Sequence, residues 1–227
     1  MKRNFFLLLL ILPTITFGQT ISFPPTPNEN DSRGLNDNCY LSAIGHPTEK
    51  EKQDFIFTLN PYVDSISKLS NLPPKTIMAM TILESGFGFT RTGYYANNLF
   101  GIKVFTSDSI KVYVLKGQPD ENNGKNIKVI RKTLKGELVY DEKIRNDNRY
   151  RKFVSKQEGV FYLTNTLLQN TLYKQASTNY KSNLSNGMTE LEASLNYAFE
   201  IAKSGYNHHG GKFYRNAIEK VIKLYKL

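Results

Sequence analysis

Residues 83–103 read LESGFGFTRTGYYANNLFGIK. Upstream, Pro73 and Pro74 can open a helix at its first turn, carrying Ile77, Met78, Met80, Thr81 and Leu83. Gly86 is the natural stop for that helix. The arrangement delivers a single carboxylate, Glu84, to the final turn. There the negative end of the helix dipole and apolar neighbours both favour the protonated form. A carboxyl that holds its proton near neutral pH is what general-acid chemistry requires. Beyond Gly86 comes an aromatic-rich loop with Phe87, Tyr94 and Tyr95, then Asn97 and Asn98 tied to Leu99, Phe100 and Gly101. Flat rings suit the C–H faces of pyranose sugars, and amides suit N-acetyl groups. Tyr94, Tyr95, Asn97 and Asn98 are therefore candidate substrate-binding residues. Phe87 and Phe100 read better as core, and one of the two amides can equally serve only to fix the loop.

Working outward, the amino terminus reads as a leader. Lys2 and Arg3 precede an apolar run over 5–12 that is too short to span a bilayer, and Thr16 and Gly18 suit cleavage after Gly18. Residues 1–18 are thus expected to be a signal peptide and the product to be exported. Gln19, not Cys, follows the cut, which argues against a lipid anchor. Residues 19–47, with Pro24, Pro25 and Pro27, read as a flexible linker or tail. Residues 48–227 suit one domain. The lone cysteine, Cys39, cannot form an internal disulfide, so stability rests on the core.

The formal charge is +10. A basic exported chain suits an anionic partner such as the bacterial cell wall, or carries only a lysine-rich solvated surface. No zinc finger, RNA-binding signature or recognition-helix pattern points to nucleic acid.

Helical periodicity begins at Thr48, which with Glu51 spells a capping box ahead of Phe55, Ile56 and Leu59. Pro61 reads as the start of a second helix carrying Val63, Ile66 and Leu69. Between Lys103 and Tyr150 the pattern changes. Residues 111–114 and 128–130 read as strands, 117–124 and 135–136 as turns. Helices return over 157–169, 191–203 and 212–225.

Pro73-Pro74-Lys75-Thr76-Ile77 followed by ESGFG and NNLFGIK resembles the glucosaminidase family, glycoside hydrolase family 73, over roughly residues 50–226. Tyr150-Arg151-Lys152-Phe153 is similar to the family's aromatic-Arg-x-aromatic strand, and Gly205-Tyr206 to its late Gly-Tyr pair. The resemblance implies an α+β, mostly α, lysozyme-like fold, a helical body facing a small β lobe across a substrate groove. It implies hydrolysis of the β-1,4 bond after N-acetylglucosamine in peptidoglycan, with no metal or organic cofactor and Glu84 as the acid. No second long apolar stretch follows the leader, so no stable membrane insertion is expected once it is removed. The family's second glutamate precedes the aromatic-Arg-x-aromatic strand by about a dozen residues. Counting back from Tyr150 reaches Glu137, with Glu142, Glu121 and Asp141 as rivals. The lobe lacks the family's usual Thr-x-Glu. Tyr206, after a glycine between helices, is a further sugar-stacking candidate.

Two alternatives remain at this stage: a lytic transglycosylase of the lysozyme superfamily, and a non-catalytic wall-binding module that kept the cleft. Other chemistries fail on their motifs. Ser65-x-x-Lys68 lacks the S-D-N and K-T-G companions of penicillin-recognising enzymes. His208 and His209 are adjacent, without the spacing or third ligand that zinc needs. Cys39 lies in the tail, away from any histidine partner in the domain.

Overall fold

The computed structural model describes residues 46–104, 111–114, 129–132, 138–140 and 149–227. The expected leader, most of the tail, and Glu121, Glu137, Asp141 and Glu142 lie outside them. The described chain is mostly helical with two small antiparallel β pairs. Among the described residues no helix is long and apolar enough to cross a membrane.

Helix α1, Glu49–Leu69, starts at the expected capping box. The Thr48 hydroxyl accepts from Glu51 N, and the Glu51 carboxylate accepts from Thr48 N at 2.7 Å. The expected break at Pro61 does not occur, because α1 runs through it as one helix. Proline deprives the Phe57 carbonyl of its intrahelical donor. Phe57 is 84% exposed, so the bond is given up on the face of α1 turned away from the core, where its loss costs least. Phe55, Leu59 and Val63 are buried at four-residue spacing on the opposite face, whereas Leu69, read as an apolar-face residue, is exposed.

Helix α2, Pro74–Ser85, is the axle of the domain. Ile77, Met78, Ala79 and Met80 are fully buried, each of the larger side chains contributing about 1.5–3 kcal/mol. Buried on nearly all sides, α2 has no apolar stripe. Its hydroxyls are satisfied: Thr76 Oγ1 donates to Ser194 O at 2.8 Å, Thr81 Oγ1 to Ile77 O at 2.7 Å and Ser85 Oγ to Thr81 O at 2.6 Å. The helix stops at Gly86, whose φ is +53°. Phe87 and Gly88 follow with φ of +60° and +81°. A non-glycine residue there costs about 1–2 kcal/mol. Phe87 is held by edge-to-face contacts with Phe55 at 5.9 Å and Tyr225 at 5.1 Å. The chain thus reverses sharply one residue pair after Glu84.

The loop beyond it contains a short helix, α3, Arg91–Ala96, capped by the Thr90 side chain, where only loop was expected. Strand β1, Val112–Val114, pairs antiparallel with β4, Arg149–Arg151, Tyr113 facing Tyr150. Strand β2, Val129–Lys132, pairs with β3, Leu138–Tyr140. Residues 102–104 run along β4: Arg151 N donates to Ile102 O and Val104 N to Arg149 O. The guanidinium of Arg151 lies 4.2 Å from the Tyr162 ring centre, which gives the Tyr150–Phe153 motif a cation–π anchor into the helical body.

Helix α4, Lys156–Tyr162, passes into a π-turn at Leu163–Leu167. Helix α5, Thr171–Ser185, was not anticipated, since its buried face is Tyr173, Ala176 and Tyr180 and not an aliphatic stripe. Helix α6, Glu190–Ile201, passes into a second π-turn, Ala202–Tyr206, and α7, Gly211–Tyr225, closes the chain. Helices α1, α6 and α7 all pack against α2.

Candidate active site

Glu84 leaves the last turn of α2 half-buried. Its Oε1 accepts a hydrogen bond from the Tyr214 hydroxyl at 2.9 Å. Burial raises the carboxyl's pKa, while the Tyr214 bond and the nearby charge of His208 pull it back down. Desolvation dominates, so the proton is held more tightly than by a free glutamate. Tyr214 is buried in the first turn of α7, and burial, reinforced by Tyr206 and Glu84, lifts its phenol well above the ordinary value. Its hydroxyl therefore holds its proton more tightly than a free tyrosine and serves as the donor in this bond. The Glu84 carboxyl is thereby held at Oε1.

Tyr206 stands beside this pair, its ring 5.7 Å from Tyr214 and 6.1 Å from Tyr173. Burial and then Glu84 raise its phenol far above the ordinary value as well. The π-turn Ala202–Tyr206, broken by Gly205 at φ +100°, carries it there. Such single π-turns often mark functional sites because they re-aim a side chain. The two residues quoted from opposite ends of the sequence, Glu84 and Tyr206, therefore share one neighbourhood.

The remaining candidates divide. Tyr94 and Tyr95 are partly exposed on α3, in a ring ladder with Phe89, each other and Tyr113. Asn97, at φ +52°, caps α3 and its Nδ2 donates to Phe153 O and Val154 O, each at 3.2 Å. Asn98 is fully buried. Its Nδ2 donates to Ile102 O and Arg151 O and its Oδ1 accepts from Ile102 N, all at 2.9 Å. Both of its donor hydrogens are used by the chain, so Asn98 is the amide that fixes the loop. Phe87 and Phe100 are core, as read from the sequence. Glu137 and its rivals lie outside the described residues.

Sequence reasoning missed Tyr214. In α7 it falls in register with Ile218 and Ile222, so its spacing marks it as core. Only its position shortly after the Gly205-Tyr206 pair hinted at the site. Among the described residues no cluster of three or more His, Cys, Asp or Glu side chains could hold a metal ion.

The family described as mannosyl-glycoprotein endo-β-N-acetylglucosaminidase, the glucosaminidase domain, matches residues 60–227. Two solved structures share the fold. The catalytic domain of the autolysin Auto from Listeria monocytogenes is 20% identical, with 79% of this chain and 87% of that chain covered and a TM-score of 0.52. A truncated glycoside hydrolase domain of FlgJ from Salmonella typhimurium is 22% identical, covering 77% of this chain and 97% of that one at a TM-score of 0.50. No curated protein matches the chain.

Proposed function

The chain belongs to the glucosaminidase family, and from that premise we propose that it is an exported peptidoglycan hydrolase that cleaves the β-1,4 bond after N-acetylglucosamine with Glu84 as general acid. One observation carries the reading: a half-buried carboxyl with a raised pKa, held by a buried tyrosine at the end of the central helix. The autolysin and FlgJ domains named above agree with the reaction class, and the basic charge suits an anionic wall polymer.

Glu84 gives its proton to the glycosidic oxygen as the bond to the anomeric carbon breaks. The carboxylate so formed is stabilised by the Tyr214 hydroxyl, a hydrogen bond that strengthens as the charge develops. Water then attacks the anomeric carbon, activated by Glu137 or preceded by attack of the substrate's own acetamido oxygen. Tyr206, Tyr94 and Tyr95 supply flat faces for sugars, while Asn97, whose Nδ2 donates to Phe153 O and Val154 O, steadies the loop that carries Tyr94 and Tyr95. Export rests on residues 1–18, whose charged start, short apolar run and small residues fit a signal-peptidase site.

The test is the identity of the ends produced. Purified peptidoglycan digested with the protein and reduced with borohydride should yield N-acetylglucosaminitol ends on mass analysis. Ends at muramic acid, or 1,6-anhydro ends, would refute the assigned bond and favour the transglycosylase chemistry.

A further inference from the structure

The His208–His209 pair, which metal binding does not explain, follows Tyr206 by two positions, and the Tyr206 ring is 5.7 Å from that of Tyr214, the partner of Glu84. The two imidazoles are 3.8 Å apart, and His209 is 4.7 Å from the ring of Phe213. Both histidines are exposed, and Phe213 is 57% exposed. Three rings therefore make a continuous aromatic strip on the surface.

The strip is held in place by its own turn. His209 N donates to Asn207 Oδ1 at 2.9 Å, and Gly210 N to Asn207 O at 3.2 Å. Gly211 is pressed on Phe199, so that an added Cβ would come within 2.7 Å of that ring. Along the chain the strip lies between two residues of the candidate active site, Tyr206 and Tyr214. Phe213 directly precedes Tyr214, whose hydroxyl holds Glu84, and His208 is close enough for its charge to act on that carboxyl.

We propose that Phe213 and His209, flanked by His208, form a stacking platform for a sugar ring of the glycan strand next to the bond that Glu84 addresses. Continuity with the acid selects the occupant. Apolar ring faces match the C–H face of a pyranose, and imidazole N–H groups at the rim match its hydroxyl and acetamido oxygens. The inference rests on the reading of Glu84 as the acid of a glycan-cleaving site.

The experiment uses the full exported chain and glycan strands freed of their peptides. Phe213→Ala and His209→Ala should each raise KM about two- to tenfold with little change in kcat, and Phe213→Trp should restore the parent KM. Unchanged KM in both alanine variants, or a fall confined to kcat, would overturn the platform. Co-sedimentation with the same strands separates this claim from the acid assignment. Glu84→Gln should bind like the parent, and Glu84→Gln combined with Phe213→Ala should bind more weakly. Weaker binding in the double variant supports the platform even if Glu84→Gln proves active. Equal binding, or a loss confined to vesicles of anionic phospholipid, would overturn it.

Discussion

The hydroxyl of Tyr214 donates to Oε1 of Glu84 at 2.9 Å, joining the first turn of α7 to the last turn of α2 across 130 positions of sequence. Tyr214 is buried and Glu84 half-buried, and each perturbs the other: Tyr214 lowers the Glu84 pKa that burial has raised, and Glu84 raises that of Tyr214.

Tyr214→Phe keeps the ring and removes only this bond. The bond favours the carboxylate, so its loss should push the Glu84 pKa higher. The general acid must be protonated, hence the alkaline limb of kcat should move to higher pH. At the same time the carboxylate formed in the transition state loses a donor worth about 1.5–3 kcal/mol, and kcat should fall roughly ten- to a hundredfold. A kcat–pH profile of the variant checks both, and an unmoved alkaline limb would separate Tyr214 from the acid.

Glu84→Gln should be more stable than the parent near neutral pH. A carboxyl whose folded pKa is raised contributes stability that is fully present below its unfolded value of about 4.5 and is lost as pH rises through the folded value. The melting temperatures of parent and variant should therefore diverge as pH climbs from about 4.5 toward 7, with the glutamine protein higher. A difference independent of pH would mean that the carboxyl is not strained by burial.

Asn98→Ala should unfold easily. The part-buried carbonyls of Ile102 and Arg151 and the Ile102 N–H would each lose a hydrogen bond, Ile102 O keeping only that from Arg151 N. The expected loss is about 2–5 kcal/mol, read from urea unfolding. A loss of activity without a loss of stability would restore Asn98 as a sugar ligand.

Glu137→Gln tests the second carboxyl, placed by its interval from Tyr150. If Glu137 activates water, turnover should fall by about 10²–10⁴, with partial rescue by azide. If the acetamido group attacks instead, the fall should be smaller. Glu142→Gln and Glu121→Gln, assayed beside it, control for damage to the lobe. Parent-like activity in Glu137→Gln together with an inactive partner variant would move the role to that partner.

What was legible in the sequence follows from how local the controlling physics is. Thr48 with Glu51, and Gly86 after an unbroken apolar run, act within four residues, and both helix ends fell where expected. Pro61 misled because its cost depends on which side of α1 faces water, a tertiary fact. Helix α5 was invisible because tyrosine and alanine, not leucine, face the core. In the site, Glu84 announced itself through its motif, and Tyr206 through its glycine. Tyr214 did not, since a tyrosine in register with Ile218 and Ile222 is indistinguishable from core until α2 and α7 are brought together. Asn98 had two readings in sequence, and its roles in binding the chain to itself needed the positions of Ile102 and Arg151.

The central claim is that Glu84 supplies the proton. Its most direct test is the release of soluble fragments from purified peptidoglycan by the protein and by its Glu84→Gln variant, with folding of both verified by circular dichroism. Glutamine keeps the shape and the contact with Tyr214 but has no proton to give, so the folded variant should release fragments at least about 10²-fold more slowly than the parent. Release by the folded variant at a rate near the parent's would contradict the account.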